Sequence, residues 1–580
     1  MLLAGTAAGI AFIAPLLTPG YVLSYDMVFV PRYRLGADLL GLSGQVPRSV
    51  PTEVLVATIS RVVPADVLEK ALLVAIFVLA AIGAGLLLEA LLPDARTAAR
   101  VGAGVLYAWN PFVYERLLIG HWSLLVAYAV LPFVARAVLD LRAGVPGAWR
   151  RTGLWLGVAA LASPYGGVIA GVLGVLVAVR PPWQGRWDRV VRAVAGVAGL
   201  ALVVNLPWLI PSVTRPGGLP STATGLAAFG PRSDSPLGTF GSLLSLGGMW
   251  NTTLAPPTRT SWAWLPSFGV VAVVAVLGWI ALARRGSAHR WAGLVAAAGL
   301  GLLLAGGTRL PGAGAVVRWT ALHLPGGGLL RDSQKFLAPF ALALAVGFGA
   351  GIHRLLPLGS DRRLRLAFAA CLVAAAVSLT PTLAWAAGGR LVSARYPASW
   401  ERAREVMEAD PSTGRVLVLP WHLYFPQGWN ADRVVLDPAQ RFFSRAALTT
   451  ERLELRSRTL PSEDPLARRA DRAVDARRPL RPALSGLGVR YVLLLKEADW
   501  RRFEALTTGL PRVLDTPDLS LFRSPASARP VEQRSAPAGL VIAGDVAAAA
   551  TLVACAIGLS LGAARRRRDG PAAEPAGAPS

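Results

Sequence analysis

Long apolar runs, separated by short clusters of arginine, decide what this chain can fold into. Residues 70–92 and 337–351 approach or exceed the roughly 20 residues that a helix needs to cross a bilayer. Further runs follow along the chain, so one signal peptide does not account for them. Lipid also explains the composition. Of 580 residues, 54% are hydrophobic and 16% charged, where a soluble chain carries about 25% charged residues. The formal net charge of +25 would point to nucleic acid in a soluble protein. Here the arginines sit between apolar segments, which is how membrane topology is encoded, and no basic stripe with interleaved aromatics suggests a nucleic-acid partner. Cys371 and Cys555 both lie inside apolar segments, so neither a disulfide framework nor a cysteine metal cluster is expected. The five histidines are scattered, and a metal site is not legible.

The spacing predicts about 12 membrane segments. The first covers residues 2–19, the second 70–92, the third ends near Asn110-Pro111, and the fourth runs from Trp122 to just before Arg142. The apolar stretch 152–179 has arginines on both sides, including Arg180 and Arg186. If both flanks face the cytoplasm, its 28 or so residues make two short helices that enter and return. Ser163-Pro164-Tyr165-Gly166-Gly167 supplies the turn. Broken helices at membrane depth persist only where they are buried or line a cavity. Later segments are expected near 193–210, 268–283, up to 307, 337–355, 366–386 and 538–564. Every arginine cluster then lies on one side together with both termini, which are expected in the cytoplasm.

The resulting fold class is mainly α: a polytopic transmembrane helical bundle with a small extracytoplasmic α/β domain. The membrane module is expected over residues 1–387 and the outer domain over 388–537. The final helix follows at 538–564, then a basic, disordered cytoplasmic tail at 565–580. Within the outer domain, 415–419 and 489–495 read as buried strands and 513–522 as a hairpin.

Three polar stretches on the outer side carry candidate chemistry. Asp26 opens a first loop of about 50 residues that also holds Arg32, Tyr33, Arg34 and Asp38, longer than two adjacent spans require. A carboxylate at a membrane exit is ordinarily a solvated boundary residue. Beside apolar surface, however, its pKa is raised and it becomes a general base. In the second stretch, Asn110-Pro111 stops a helix, and Glu115, Arg116, His121 and Trp122 follow. The plain reading is a well-made turn; the functional one is a polar rim where Arg116 or His121 meets an anionic head group. In the third, Arg331 and Lys335 flank Asp332 four residues apart just before an apolar run. A helical start would put both cations on one face and make a phosphate site, unless they merely cap the helix. Asp545 lies inside the last segment and Gly347-Phe-Gly349-Ala-Gly351 inside another, the latter suited to helix packing.

On Asp26, on Tyr107-Ala-Trp-Asn110-Pro111-Phe112 with Gly120-His121, and on Leu330-Arg331-Asp332-Ser-Gln-Lys335-Phe336, the chain resembles the GT-C superfamily of integral-membrane glycosyltransferases. It is most similar to actinobacterial arabinofuranosyltransferases and YfhO-type membrane proteins; Gly488-Val-Arg-Tyr491-Val and Leu519-Ser-Leu-Phe522 share that likeness. The resemblance implies a bacterial plasma-membrane enzyme of cell-envelope biogenesis. It would transfer a sugar, with inversion, from a polyprenyl-phosphate carrier to an extracytoplasmic glycan or lipid acceptor. It implies Asp26 as catalytic base and Arg331 and Lys335 as phosphate ligands. Arg116, His121, Arg32 and Tyr33 would be further substrate contacts, with Asp38, Glu115 and Asp332 as secondary candidates. Many members carry two adjacent acids in the first loop, whereas Asp26 stands between Tyr25 and Met27. No cofactor is called for by the residues, and a divalent cation is left open. Two other readings stay open: a non-catalytic envelope-assembly protein of the same fold, and a lipid or glycan transporter, which would want polar residues at the bilayer midplane.

Overall fold

A computed structural model describes residues 1–43, 47, 49–179, 187–215, 222–310, 312–324, 326–356, 361–455, 458–525, 528 and 536–568. Among them, seven helices are long and apolar enough to cross a membrane: Ala65–Leu91, Trp122–Arg142, Trp187–Thr214, Leu265–Arg284, Ala288–Arg309, Ser333–Leu355 and Ala538–Ala564. An eighth span is available if Arg362–Val377 and Pro381–Gly389, bent by 72°, count as one. The other expected segments, the re-entrant pair among them, are also helical but shorter. Thr97–Ala108, for example, has 12 residues, about 18 Å at the α-helical rise and too short for a bilayer core. Asn110 is the cause. Its side chain donates to the carbonyls of Leu106 and Tyr107 at 3.0 and 2.8 Å, and accepts from the Val113 amide at 3.1 Å. It thereby closes one helix and caps the next, Pro111–Leu118.

The stretch 152–179 does turn back. Ala148–Ala162 and Pro164–Ala178 are separated only by Ser163, whose extended backbone (φ −163°, ψ 137°) breaks the helix. The two helices run antiparallel at close range. A Cβ on Gly167 would lie 3.0 Å from Ala160 Cα, and one on Gly174 3.8 Å from a Leu156 methyl. Helices also interrupt two expected loops, at Thr52–Ile59 and Ala313–His323. The last helix continues to Arg568. The expected disordered tail from 569 onward, and the topogenic Arg180 and Arg186, lie outside the described residues.

Besides a short antiparallel pair, Leu453–Leu455 with Arg458–Leu460, the part expected outside the membrane contains β1 Arg415–Leu419, β2 Tyr424–Gln427, β3 Arg433–Leu436, β4 Ala447–Leu448, β5 Val489–Leu495, β6 Arg512–Asp515 and β7 Leu519–Arg523. Five of them form one mixed sheet in the order β6-β7-β5-β1-β4, with β1 parallel to β4 and β5 and the β6–β7 hairpin antiparallel at one edge. β1 and β5 lie at the sequence-expected positions because Val416–Leu419 and Tyr491–Leu495 are continuous apolar runs, as central strands covered on both faces require. Strands β2 and β3 make a separate antiparallel hairpin.

The cores explain how this part attaches. Val416, Val418, Tyr491, Leu493 and Leu495 point to one face of the sheet and bury against Trp400, Phe442 and Phe443. Leu23, Val28 and Val30 of the first loop belong to that same cluster. The sequence boundary at 387/388 is therefore not a boundary in space. The first loop is folded into the outer core, and Tyr21–Val22 pairs with Ser393–Ala394 beside it.

Candidate active site

The first loop turns at Asp26 under tight control from both sides. The Asp26 amide donates to the Ile119 carbonyl at 3.1 Å, just before the helix that starts at Trp122. On the other side, the Tyr25 amide donates to Val434 O at 3.0 Å and the Tyr25 carbonyl accepts from the Leu436 amide at 2.9 Å, both in β3. Tyr25 is held at φ +43°, left-handed and strained for a tyrosine. The approach needs Gly120, where a Cβ would lie 2.1 Å from the Met27 nitrogen.

This clamp presents Asp26 to a cavity of about 410 Å³, within the range of small-ligand sites. Membrane helices, the Ser163–Tyr165 hairpin tip, the segment before Ser333 and the outer domain all contribute walls. Asp26 Oδ2 lies 3.2 Å from His121 Nε2, and Oδ1 accepts from the Tyr424 hydroxyl. Burial pushes His121 down to about 4, with the Lys335 charge adding to the effect. The ring is therefore neutral near pH 7 and donates through Nε2–H, leaving the buried Nδ1 without a partner. Burial alone would raise the Asp26 pKa. The His121 and Tyr424 hydrogen bonds and the Lys335 charge outweigh it and hold the carboxyl below its ordinary value. This corrects the expectation of a raised pKa, which considered the apolar surroundings but not the two donors.

Lys335 Nζ lies 3.0 Å from Asp332 Oδ2 and 4.1 Å above the centre of the Tyr165 ring at the hairpin tip. Burial opposes ionisation of Asp332, but Lys335, Arg116 and His121 bring it down to about 2. Arg331 also lines the cavity, yet it does not share a helix face with Lys335 as expected. Two short 3₁₀ turns, Gly327–Leu330 and Ser333–Leu337, stand where a regular helix start was anticipated. Arg331 instead reaches Glu463 of the outer domain at 3.1 Å and lies over the Phe229 ring.

The remaining sequence candidates divide. Tyr33 lines the cavity; Arg32, Glu115, Arg116 and Asp38 do not. Arg32 is 75% exposed and faces Glu401 at 3.7 Å, at the protein surface away from the cavity. Arg116 is fully buried against Met249 Sδ (3.0 Å) and the Phe112 ring. Glu115 is buried beside Asp234. Burial and that neighbouring carboxylate push its pKa well above the usual range. Asp38 pairs with Arg34 at 2.6 Å and lines a smaller adjoining cavity of about 170 Å³. Among the described residues, no three His, Cys, Asp or Glu side chains converge where a metal ion could sit.

Sequence reasoning missed Tyr424, Tyr165 and the Arg441–Glu53 pair, all of which line the cavity. Arg441 Nε lies 2.9 Å from Glu53 Oε1. Tyr424 and Arg441 sit some 400 residues from Asp26, and neither belongs to a local motif that would have marked it.

No family model matches the chain, and no curated protein matches it in sequence. Among solved structures it is similar to arabinofuranosyltransferase AftD from Mycobacteria, with a TM-score of 0.63 and 18% identity over 91% of this chain and 40% of that one. A mutant form of AftD gives a TM-score of 0.56 and 17% identity over 91% and 41%. The chain thus spans about two fifths of the length of these AftD structures. The GT-C resemblance read from the sequence is borne out at the level of the fold.

Proposed function

We propose, from a GT-C fold whose cavity holds both Asp26 and Lys335, that the protein is an inverting membrane glycosyltransferase. It moves a sugar from a polyprenyl-phosphate carrier to a cell-envelope glycan or lipid acceptor outside the plasma membrane. The observation that carries the reading is the pairing of an ionised, donor-held carboxylate with cations in one cavity at the membrane boundary. Asp26 takes the proton from an acceptor hydroxyl as that oxygen bonds to the anomeric carbon. The bond from that carbon to the carrier phosphate breaks, and polyprenyl phosphate leaves with the electron pair. Lys335 and Arg331 stabilise the charge that develops on it. Because Asp26 has a low pKa, it is a weak base toward a free hydroxyl; the proton moves late, once the attacking oxygen has become acidic. One displacement inverts the sugar. A divalent cation, left open by the family pattern, is given no step.

Removing Lys335 and Arg331 together should weaken polyprenyl-phosphate binding to the purified protein. Each charge-assisted contact is worth about 1.5–3 kcal/mol. Both cations already have carboxylate partners, so the expected loss is nearer the lower bound, roughly tenfold for each residue. Unchanged affinity in Arg331→Ala/Lys335→Ala would place the phosphate elsewhere, with Arg441 next in line.

The same reading puts the strand-rich part outside the cell and both termini inside. Arg469 is exposed there, while the native Cys371 and Cys555 lie in apolar helices. A cysteine at Arg469 should be labelled by an impermeant maleimide in intact cells. Labelling only after permeabilisation would reverse the orientation.

A further inference from the structure

Asp26 belongs to the first loop, yet one of its two oxygens is held by the outer domain. We propose that Tyr424 is a positioning residue through which the outer domain completes the base, so that docking of this domain, and not the membrane module alone, makes the site competent. The inference rests on the transferase reading above.

The backbone fixes the arrangement. Tyr424 pairs with Leu436 across the β2–β3 hairpin. The Leu436 amide in turn donates to the carbonyl of Tyr25, the residue before Asp26. The strand that carries Tyr424 and the loop that carries Asp26 are therefore held in register by β3 between them. Once the hairpin docks, the hydroxyl meets Asp26 Oδ1. The Tyr25 and Tyr424 rings pack 6.0 Å apart, which limits the phenol's freedom to swing away. With His121 on the other oxygen, the carboxylate is fixed in plane, and each oxygen keeps lone-pair capacity for an incoming hydroxyl.

Four side chains bear on the charge of Asp26: His121 from the turn before Trp122, Lys335 from the segment leading into Ala338–Leu355, Tyr424 from β2, and Arg441 from Ala439–Phe442. His121 is neutral near pH 7, Lys335 and Arg441 act through their charge, and Tyr424 acts through its hydrogen bond. Only the last is removed by deleting a single oxygen atom.

Tyr424→Phe keeps the ring and its packing. Asp26 must be ionised to accept the proton, so loss of this donor raises its pKa and moves the acidic limb of the rate profile to higher pH. The expected shift is about one to two pH units. It comes with a lowered kcat and an unchanged KM for the polyprenyl-phosphate sugar. A purely structural tyrosine would lower the melting temperature and leave the limb in place. An unmoved limb in folded Tyr424→Phe overturns the inference, and so does a changed donor KM at constant kcat. Asp26→Asn, measured in parallel, separates the two levels. If it transfers sugar at the wild-type rate, the transferase assignment of Asp26 itself falls. If it is inactive while Tyr424→Phe keeps the wild-type limb, only the role of Tyr424 falls.

Discussion

Asp26→Asn should reduce sugar transfer by about 10²–10⁴-fold, the usual loss when a general base is removed. The amide is isosteric and can still accept one of the two hydrogen bonds now made by His121 and Tyr424. The other donor has to adapt, and for His121 a change of tautomer suffices. The loop itself should survive, because it is held by main-chain bonds from Ile119, Val434 and Leu436. Carrier binding should persist, since removal of a negative charge near Lys335 does not repel a phosphate. Transfer of labelled sugar is the measurement. Wild-type turnover would sink the assignment and pass the role to Asp332, the cavity carboxylate beside Lys335.

The largest stability effect is expected behind the cavity, at Arg259. Its guanidinium is fully buried and donates to both oxygens of Asp234, at 3.0 and 2.9 Å. It also donates to the Ser245 carbonyl and hydroxyl, at 3.1 and 2.9 Å, and stacks on Trp264. Asp234 further accepts from the Gly248 amide at 3.0 Å. One network thus ties together the segment between the spans Trp187–Thr214 and Leu265–Arg284. Arg259→Met leaves the Asp234 charge buried without its partner, which costs about 3–5 kcal/mol. The double variant Asp234→Leu/Arg259→Met should be less destabilised than Arg259→Met alone, because no charge is left stranded. Denaturant unfolding of the purified variants measures both. A loss below about 1 kcal/mol in the single variant would mean the pair is hydrated, as at a protein surface.

What the sequence revealed, and what it hid, follows from the range of the forces involved. Arg415–Leu419 and Val489–Leu495 were legible because each holds a continuous apolar run, Val416–Leu419 and Tyr491–Leu495, as a central strand needs. The turn at Ser163 was legible because proline and glycine act on the local backbone. Asp26, Lys335 and Tyr33 could be marked because a polar residue at the edge of an apolar segment stands out. The stop at Asn110 was legible for the same reason as the turn at Ser163, but not that the helix before it, Thr97–Ala108, has only 12 residues. Arg116 was misplaced because a cation beside a helix end reads alike whether it faces a cavity or Met249. The Asp26 pKa was misjudged in direction because its two donors come from distant segments. Tyr424 had no local signature at all: its role exists only through the Tyr25–Leu436–Tyr424 register.

That register also has a consequence in time. Asp26 and Tyr424 are 398 residues apart in the chain. At about 5–20 residues per second of synthesis, the ribosome takes roughly 20–80 s to get from one to the other. For most of that interval the first loop is already synthesised, while most of the strands that bury Leu23, Val28 and Val30 have not been made. A nascent chain halted anywhere before β2 therefore carries its acidic residue but not the hydroxyl that holds it. On the transferase reading, a chain truncated before β2 should therefore transfer no sugar, which an assay of the membrane-inserted truncation checks.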